Sequence, residues 1–291
     1  MSDFGRLHRG LLAVGRDIVC TAEVRSITKS TWIFGLHDFI VGDSPRLISR
    51  IAGISGLPTA DRYVLSGEIG DGRVLIEAPQ LRVVDGKAEL TCMVQPRAAR
   101  IDARSLGSMA AMHPETRDMY AEHGQIARVS GIAALKQFFE QALSMQQGEA
   151  FFDLSAGVRF FEYAHGFADS ALLPELLTLD VIRQASIPAG GQTPLRCVEQ
   201  VRRLSLPSGI GSERRFRLDV DLEINGVGTW QRELSIYMPT AQEMADIRAR
   251  AEERSRQLGP LAVAPAAHVE LLPVSSSVAA KVLETLKRGR H

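Results

Sequence analysis

Two carboxylates stand four residues apart in the stretch 145–157, MQQGEAFFDLSAG: Glu149 and Asp153. A pair of acids can hydrolyse a glycoside when the groups sit about 5 Å apart in a cleft and one has a raised pKa. A spacing of four would place both on one face of a helix. Gly148 stands just before them, however, and a glycine in left-handed conformation commonly closes a helix. The plainer expectation is that Glu149 and Asp153 bond to exposed backbone amides and fix a helix-to-loop corner. Phe151, Phe152, Phe160 and Phe161 crowd the same stretch. One ring of each pair is expected in the core, and the other as an exposed anchor for a neighbouring subunit, because buried aromatics dominate interfaces.

Other chemistry finds little footing. Seven histidines (His8, His37, His113, His123, His165, His268, His291) show no HExxH or paired spacing, so no metal site is expected. Gly70-Asp71-Gly72 reads as a turn, since it lacks the GxxxxGK[ST] of a phosphate loop. No nucleophile has a recognisable elbow, so no catalytic residue and no cofactor are expected. Arg196, Arg202, Arg203, Arg214, Arg215 and Arg217 could track phosphates. Glu199, Glu213 and Asp219 stand among them, and Lys+Arg and Asp+Glu balance at 34 each. That balance gives no overall attraction to nucleic acid or an anionic membrane.

The chain has 291 residues, 45% of them hydrophobic and 23% charged, which suits two domains plus appendages around sizeable cores. Cys20, Cys92 and Cys197 are odd in number and far apart, as expected of reduced, buried thiols rather than a disulfide framework. The start lacks the apolar run of a signal peptide, and no apolar stretch reaches the roughly 20 residues a bilayer span needs. Folding in a cytoplasm is the expectation.

The first hundred residues read as a β-rich, mostly antiparallel domain. Runs 17–27, 31–41, 61–69, 73–78 and 87–94 carry β-branched and aromatic residues, which strands favour. Gly70-Asp71-Gly72 and Asp85-Gly86 mark hairpin turns, and Pro45 opens a short helix over 45–54. After a weakly patterned bridge, Ser130 is a candidate N-cap. The apolar residues Leu135, Phe138, Phe139, Ala142 and Met145 then give a helix over 131–146, about 22 Å long. A second helical region covers 169–187, interrupted at Pro174. Runs 197–206, 214–224 and 228–238 follow. The last two alternate like half-buried strands around Asn225-Gly226, the strongest hairpin signal in the chain. Residues 240–258 form a charged helix. An extended, proline-containing segment and a short final helix complete an arm suited to docking on a partner.

In order and spacing, Val129-Ser130-Gly131, Ala134 with Gln137, Gly148-Glu149, Asp153 and Gly157 resemble the baseplate wedge family of contractile phage tails, also called baseplate assembly protein W or lysozyme-like wedge protein. The resemblance covers about 118–240. Thr193-Pro194-Leu195-Arg196 stand where the family carries Glu-Pro-Arg. For 118–240 the resemblance implies a small wedge-type α+β domain with a closing antiparallel hairpin. Together with the residue patterns on either side, the expected architecture is α+β in three parts: a β-rich N-terminal accessory domain (1–100), that wedge-type domain (118–240), and a helical and extended C-terminal arm (241–291).

The resemblance also implies a virion structural protein, assembled in the host cytoplasm, that joins tube or hub, wedge and first sheath ring in many copies through subunit contacts that include strand addition. Gly148, Glu149, Phe151, Phe152, Asp153, Gly157, Pro194 and Arg196 would be interface residues. No enzyme activity, nucleic acid or membrane enters this reading. The alternatives are a peptidoglycan hydrolase using the Glu149/Asp153 pair and a nucleic-acid-binding module using the arginine run.

Overall fold

The computed structural model describes residues 10–16, 18–41, 51–84, 87–113, 116, 118–154, 156–168, 170–188, 194–207 and 214–258. The protein is mixed α and β, with a large antiparallel sheet in its N-terminal part and a few helices. The expected turn at Asp85-Gly86, most of the expected helix at 45–54 and the segment 259–291 lie outside the described residues, although residues 51–53 are helical.

Seven strands form the first sheet: β1 Gly10–Val14, β2 Ile18–Ile27, β3 Thr31–Val41, β4 Tyr63–Ser66, β5 Asp71–Val74, β6 Gln80–Val84 and β7 Lys87–Met93, in the order β5-β4-β1-β2-β3-β7-β6. Every neighbouring pair is antiparallel. Past β5 the chain bridges to the end of β7, Leu75 opposite Val94. Gln95 N donates to Val74 O at 2.8 Å and Ile76 N to Met93 O at 2.9 Å. The sheet therefore curls back toward itself, around a core that includes Leu12, Val14, Cys20, Trp32, Phe34, Leu75, Leu90, Cys92 and Val94.

Its other face is buried as well where β1, β4, β5 and the start of β2 lie. Leu11, Ala13, Val19, Tyr63, Leu65 and Val74 belong to a second core that runs on into the C-terminal half. Residues on both faces of β1 are thus buried. This explains why GLLAV has no alternation to announce a strand: a doubly buried strand reads as a short apolar run. The turn at Gly70-Asp71-Gly72 also falls differently. Ser66 pairs with Asp71, so the turn is 67–70, and Asp71 and Gly72 already belong to β5.

Residues 103–105 make a 3-10 turn, and β8 Ser108–Ala110 pairs with β11 Arg128–Ser130 across a small hairpin of β9 Ala121–Glu122 and β10 Gln125–Ile126. Helix α1 spans Gly131–Ser144. Its buried face is Ala134, Leu135, Phe139, Glu140 and Leu143, and Phe138 and Ala142 lie at the margin of the core. Ser130 occupies the N-cap position, but without a side-chain hydrogen bond.

Two short connections then lead to helix α2, Phe160–Phe167, and helix α3, Leu173–Ser186. Helix α2 was not expected from the sequence. Pro174 lies in the first turn of α3 rather than interrupting a longer helix, a place where its missing N–H costs nothing. Leu173, Leu176, Leu177 and Leu179 through Ser186 are all buried, because α3 packs against β1, β4 and β5 and also against β12 of the second sheet.

That second sheet is β12 Val198–Ser205, β13 Arg215–Ile224 and β14 Gly228–Tyr237, antiparallel in that order. The 3-10 turn Pro194–Cys197 leads into it. Phe216, Leu218, Val220, Leu222 and Ile224 all point into the core, as their period of two requires. Phe139 of α1 meets Trp230 edge-on at 5.3 Å between ring centres. Asn225-Gly226 turns the β13–β14 hairpin, with Ile224 opposite Gly228. Helix α4, Ala241–Leu258, closes the described chain. It opens with a reciprocal cap: Glu243 N donates to Thr240 Oγ1 at 3.2 Å, and Thr240 N donates to the Glu243 carboxylate at 3.0 Å.

Candidate functional site

The corner at 145–161 is a bolted turn. Helix α1 ends because Met145 becomes extended, which frees Gln146 to form a parallel bridge with Val158. Gly148, with φ +87°, therefore does not close the helix; it sits in the next turn, where Glu149 N donates to Gln146 O at 3.1 Å. The Glu149 carboxylate accepts from Gln146 N at 2.9 Å. Gln146 is fully buried. Its side-chain oxygen accepts from Phe161 N at 2.9 Å and its amide donates to Ser144 O at 3.2 Å, so its buried polar atoms are matched, as burial demands.

Gly157 is the tightest point. Its φ is +93°, and a Cβ there would stand 2.6 Å from Met145 O and 2.7 Å from Gln146 O, so only glycine fits. Its carbonyl accepts from Arg183, at 2.7 Å, and from Gln184. One turn earlier in α3, Asp180 accepts from Arg183 Nε at 2.7 Å and from Arg159 N. The Asp180 side chain is wholly shielded from solvent. A carboxylate in that position needs its cations and donors, since an unpaired buried charge costs several kcal/mol.

Helix α4 packs back onto the same corner. Arg248 donates to Gln147 O at 2.9 and 3.1 Å, pairs with Glu162 and stacks over Phe161. Arg254 stacks 4.8 Å over the Phe151 ring. Phe151 and Phe152 meet edge-on at 5.5 Å. Phe152 remains 54% exposed and Leu154 37% exposed. Phe160 is buried and Phe161 partly so.

Gly148, Glu149, Phe151, Phe152, Asp153 and Gly157 thus share one corner. Pro194 and Arg196 belong instead to the 3-10 turn before β12, where Arg196 donates to Ala99 O at 3.1 Å. Sequence reading missed Gln146, Asp180, Arg183 and Arg248. It also missed a cluster between the two sheets. Asp71 of β5 is paired with Arg73, with Arg97 at 3.3 Å and with Arg100 at 2.9 Å, and accepts from Ser186 Oγ of α3 at 2.9 Å. Most of these residues are marked only by being polar and buried or half-buried, and a sequence does not display burial.

Of the arginine run, Arg202 pairs with Glu223 at 2.6 Å, Arg214 with Glu243 at 3.0 Å and Arg217 with Glu233 at 3.7 Å. These guanidiniums already face acids, which leaves less of their charge for phosphates. Among the described residues no group of three or more His, Cys, Asp or Glu could hold a metal ion, and no helix is long and apolar enough to cross a membrane. Comparisons with protein-family models, with curated proteins and with solved structures each found no match to this chain.

Proposed function

We propose that this chain is a structural subunit of a contractile phage-tail baseplate, or of a related injection machine, that holds wedge, tube or hub and first sheath ring together in many copies. Residues 118–240 would be the wedge-type α+β domain, residues 1–100 an added contact module, and 241–291 the docking arm. The reading rests on the resemblance at 129–157, and the observation that carries it is the corner itself. Glu149 is bonded to a backbone amide within its own turn, and the same turn presents Phe152 and Leu154 outward. A fixed turn with an exposed ring suits a subunit contact better than proton transfer.

Two further features support the proposal and narrow it. In strand β14, Ser235 N donates to Glu140 at 2.9 Å and Tyr237 N to Ser144 Oγ at 2.9 Å, so α1 covers the end of that edge. Thr229, Gln231 and Glu233 share the outward register, because β13 and β14 pair without a bulge. Strand addition would therefore use 229–233. Helix α4 rests on its own chain, which leaves partner docking to its outer face and to 259–291.

Co-expression with sheath, tube and hub proteins, followed by electron microscopy, tests the reading. Particles should contain the chain, and Phe152→Asp should reduce its incorporation. Particles that assemble normally without it, or binding to none of these proteins, would overturn the proposal.

A further inference from the structure

The outer edge of β14 carries a short sequence that complements itself. Met238 N donates to Arg214 O at 2.9 Å. The even-numbered N–H groups of β14 therefore face β13, and those of Thr229, Gln231, Glu233, Ser235 and Tyr237 face away. Glu140 takes Ser235 N and Ser144 takes Tyr237 N. At the other end the hairpin turns at 225–227, before Gly228. Among the described residues no strand pairs with this outer edge, and Thr229, Gln231, Arg232 and Glu233 are exposed. The open window is thus 229–233, with the N–H and C=O of residues 229, 231 and 233 turned outward. Arg232 covers one of these groups with its own side chain, donating to Gln231 O at 2.8 Å.

One antiparallel register lets this window pair in full with a copy of itself. A two-fold axis through Gln231 sets Gln231 against itself and Thr229 against Glu233, so all the outward groups of both copies meet. An axis through any other residue of the window leaves some of them opposite the turn at 225–227, or opposite Ser235 and Tyr237, whose N–H groups are taken. An axis through Arg232 would also set two like charges face to face, which is unfavourable.

The side chains agree with the register at Gln231. Thr229 stands opposite Glu233 of the second copy, a hydroxyl against a carboxylate. The two Gln231 amides meet at the axis, each with a donor and an acceptor. Trp230 stands opposite Arg232 of the second copy in a non-hydrogen-bonded pair, where side chains approach most closely. Within one chain Arg232 already lies 5.9 Å from the centre of the Trp230 ring, the arrangement in which a guanidinium is drawn to an indole face. No like charges are opposed.

We propose that two copies of this chain join through β14, antiparallel about a two-fold axis at Gln231, into one continuous sheet. Such a contact uses the same patch on both subunits, as closed dimers do. The inference rests on the open edge that strand addition uses in the reading above and names its partner as a second copy. It does not need the phage-tail assignment.

Sedimentation of the full chain should show a dimer whose fraction rises with concentration. Gln231→Cys tests the register. The native thiols are buried, and the two introduced thiols would sit on Cα atoms about 5.5 Å apart, within reach of a disulfide. Mild oxidation should therefore give a covalent dimer. Thr229→Cys alone should not, because its two copies would lie about 13 Å apart along the strands, whereas Thr229→Cys mixed with Glu233→Cys should. Gln231→Pro removes the N–H at the axis, in an edge position where proline is tolerated, and should raise the dimer Kd at least about tenfold. A wild-type chain that stays monomeric at about 100 μM, as expected if the charged side chains only blunt the edge, would overturn the proposal. So would a dimer that cross-links through Thr229→Cys as readily as through Gln231→Cys. These measurements stand even if Gln231→Pro does not fold. A monomer that still enters particles overturns this inference alone, and a dimer absent from particles overturns the phage-tail reading alone.

Discussion

Val201 donates its backbone N–H to the carbonyl of Gly70 at 2.9 Å, joining the edge of the second sheet to the 67–70 turn of the first. Gln200 reinforces this with a side-chain bond to Ile69 O at 2.8 Å. Gly70 has φ +69°, and a Cβ there would collide with the Val201 carbonyl oxygen. Gly70→Ala should therefore destabilise the chain by about 3 kcal/mol, combining left-handed strain with a displaced sheet contact. Urea unfolding of the two proteins measures this. A change below about 0.5 kcal/mol would show that the turn can retreat at little cost.

Asp180→Ala should be the most damaging single change near the corner. It strips Arg183 of its carboxylate partner and Arg159 N of its acceptor. Removing one member of a buried ion pair costs roughly 3–5 kcal/mol. The midpoint of denaturant unfolding should fall accordingly, or the variant should be recovered only as aggregate.

Glu149→Gln separates the corner from a catalytic pair. The amide oxygen can still accept from Gln146 N, so stability should change by less than about 1 kcal/mol. Cell-wall clearing should be at background for both proteins between pH 4 and 9. Clearing by the wild type that disappears in the variant would establish the hydrolase instead.

Phe152→Asp should leave the unfolding midpoint nearly unchanged, within about 0.5 kcal/mol, because the ring is more than half exposed. Its effect should appear only in assembly, as reduced incorporation into particles. Loss of fold would mean that the ring belongs to the core.

Cys20, Cys92 and Cys197 are free and buried, and burial pushes the Cys20 and Cys197 thiols up to about 12 from an ordinary 9.0. The native chain should react slowly with a thiol reagent, and all three groups should react at once in denaturant. The pH dependence follows with a definite sign. Above pH 9 the unfolded chain loses thiol protons that the folded chain keeps, so stability falls as pH rises from 9 toward 12 and is unaffected by these groups below 9. Unfolding curves between pH 7 and 10.5 check this.

Much of the secondary structure was legible because it is local. Phe216 to Ile224 alternate, Asn225-Gly226 turns a hairpin, and the sequence between Thr240 and Leu258 has the cap and composition of an exposed helix. The elements that were misread have specific causes. Strand β1 is buried on both faces and shows no period. Helix α1 ends early because Gln146 finds a bridging partner twelve residues later, at Val158. Helix α2 has only eight residues, too few for a repeat to declare itself.

The sequence by itself determined the longer strands and helices, where the second hairpin turns, and that Glu149 serves a turn, since a glycine and an amide freed at a helix end are neighbours of that carboxylate in the chain. Tertiary structure alone decided that α3 lies between two sheets, that Asp71 is surrounded by three arginines, that α4 returns to the corner through Arg248, and that Glu140 and Ser144 cover the end of β14. Glu140 and Ser235 are 95 residues apart, and Asp71 and Ser186 are 115 apart. Contacts at such separations leave no local pattern. They exist because packing the helices against the two sheets brings those groups together, and buried polar atoms then take the partners within reach.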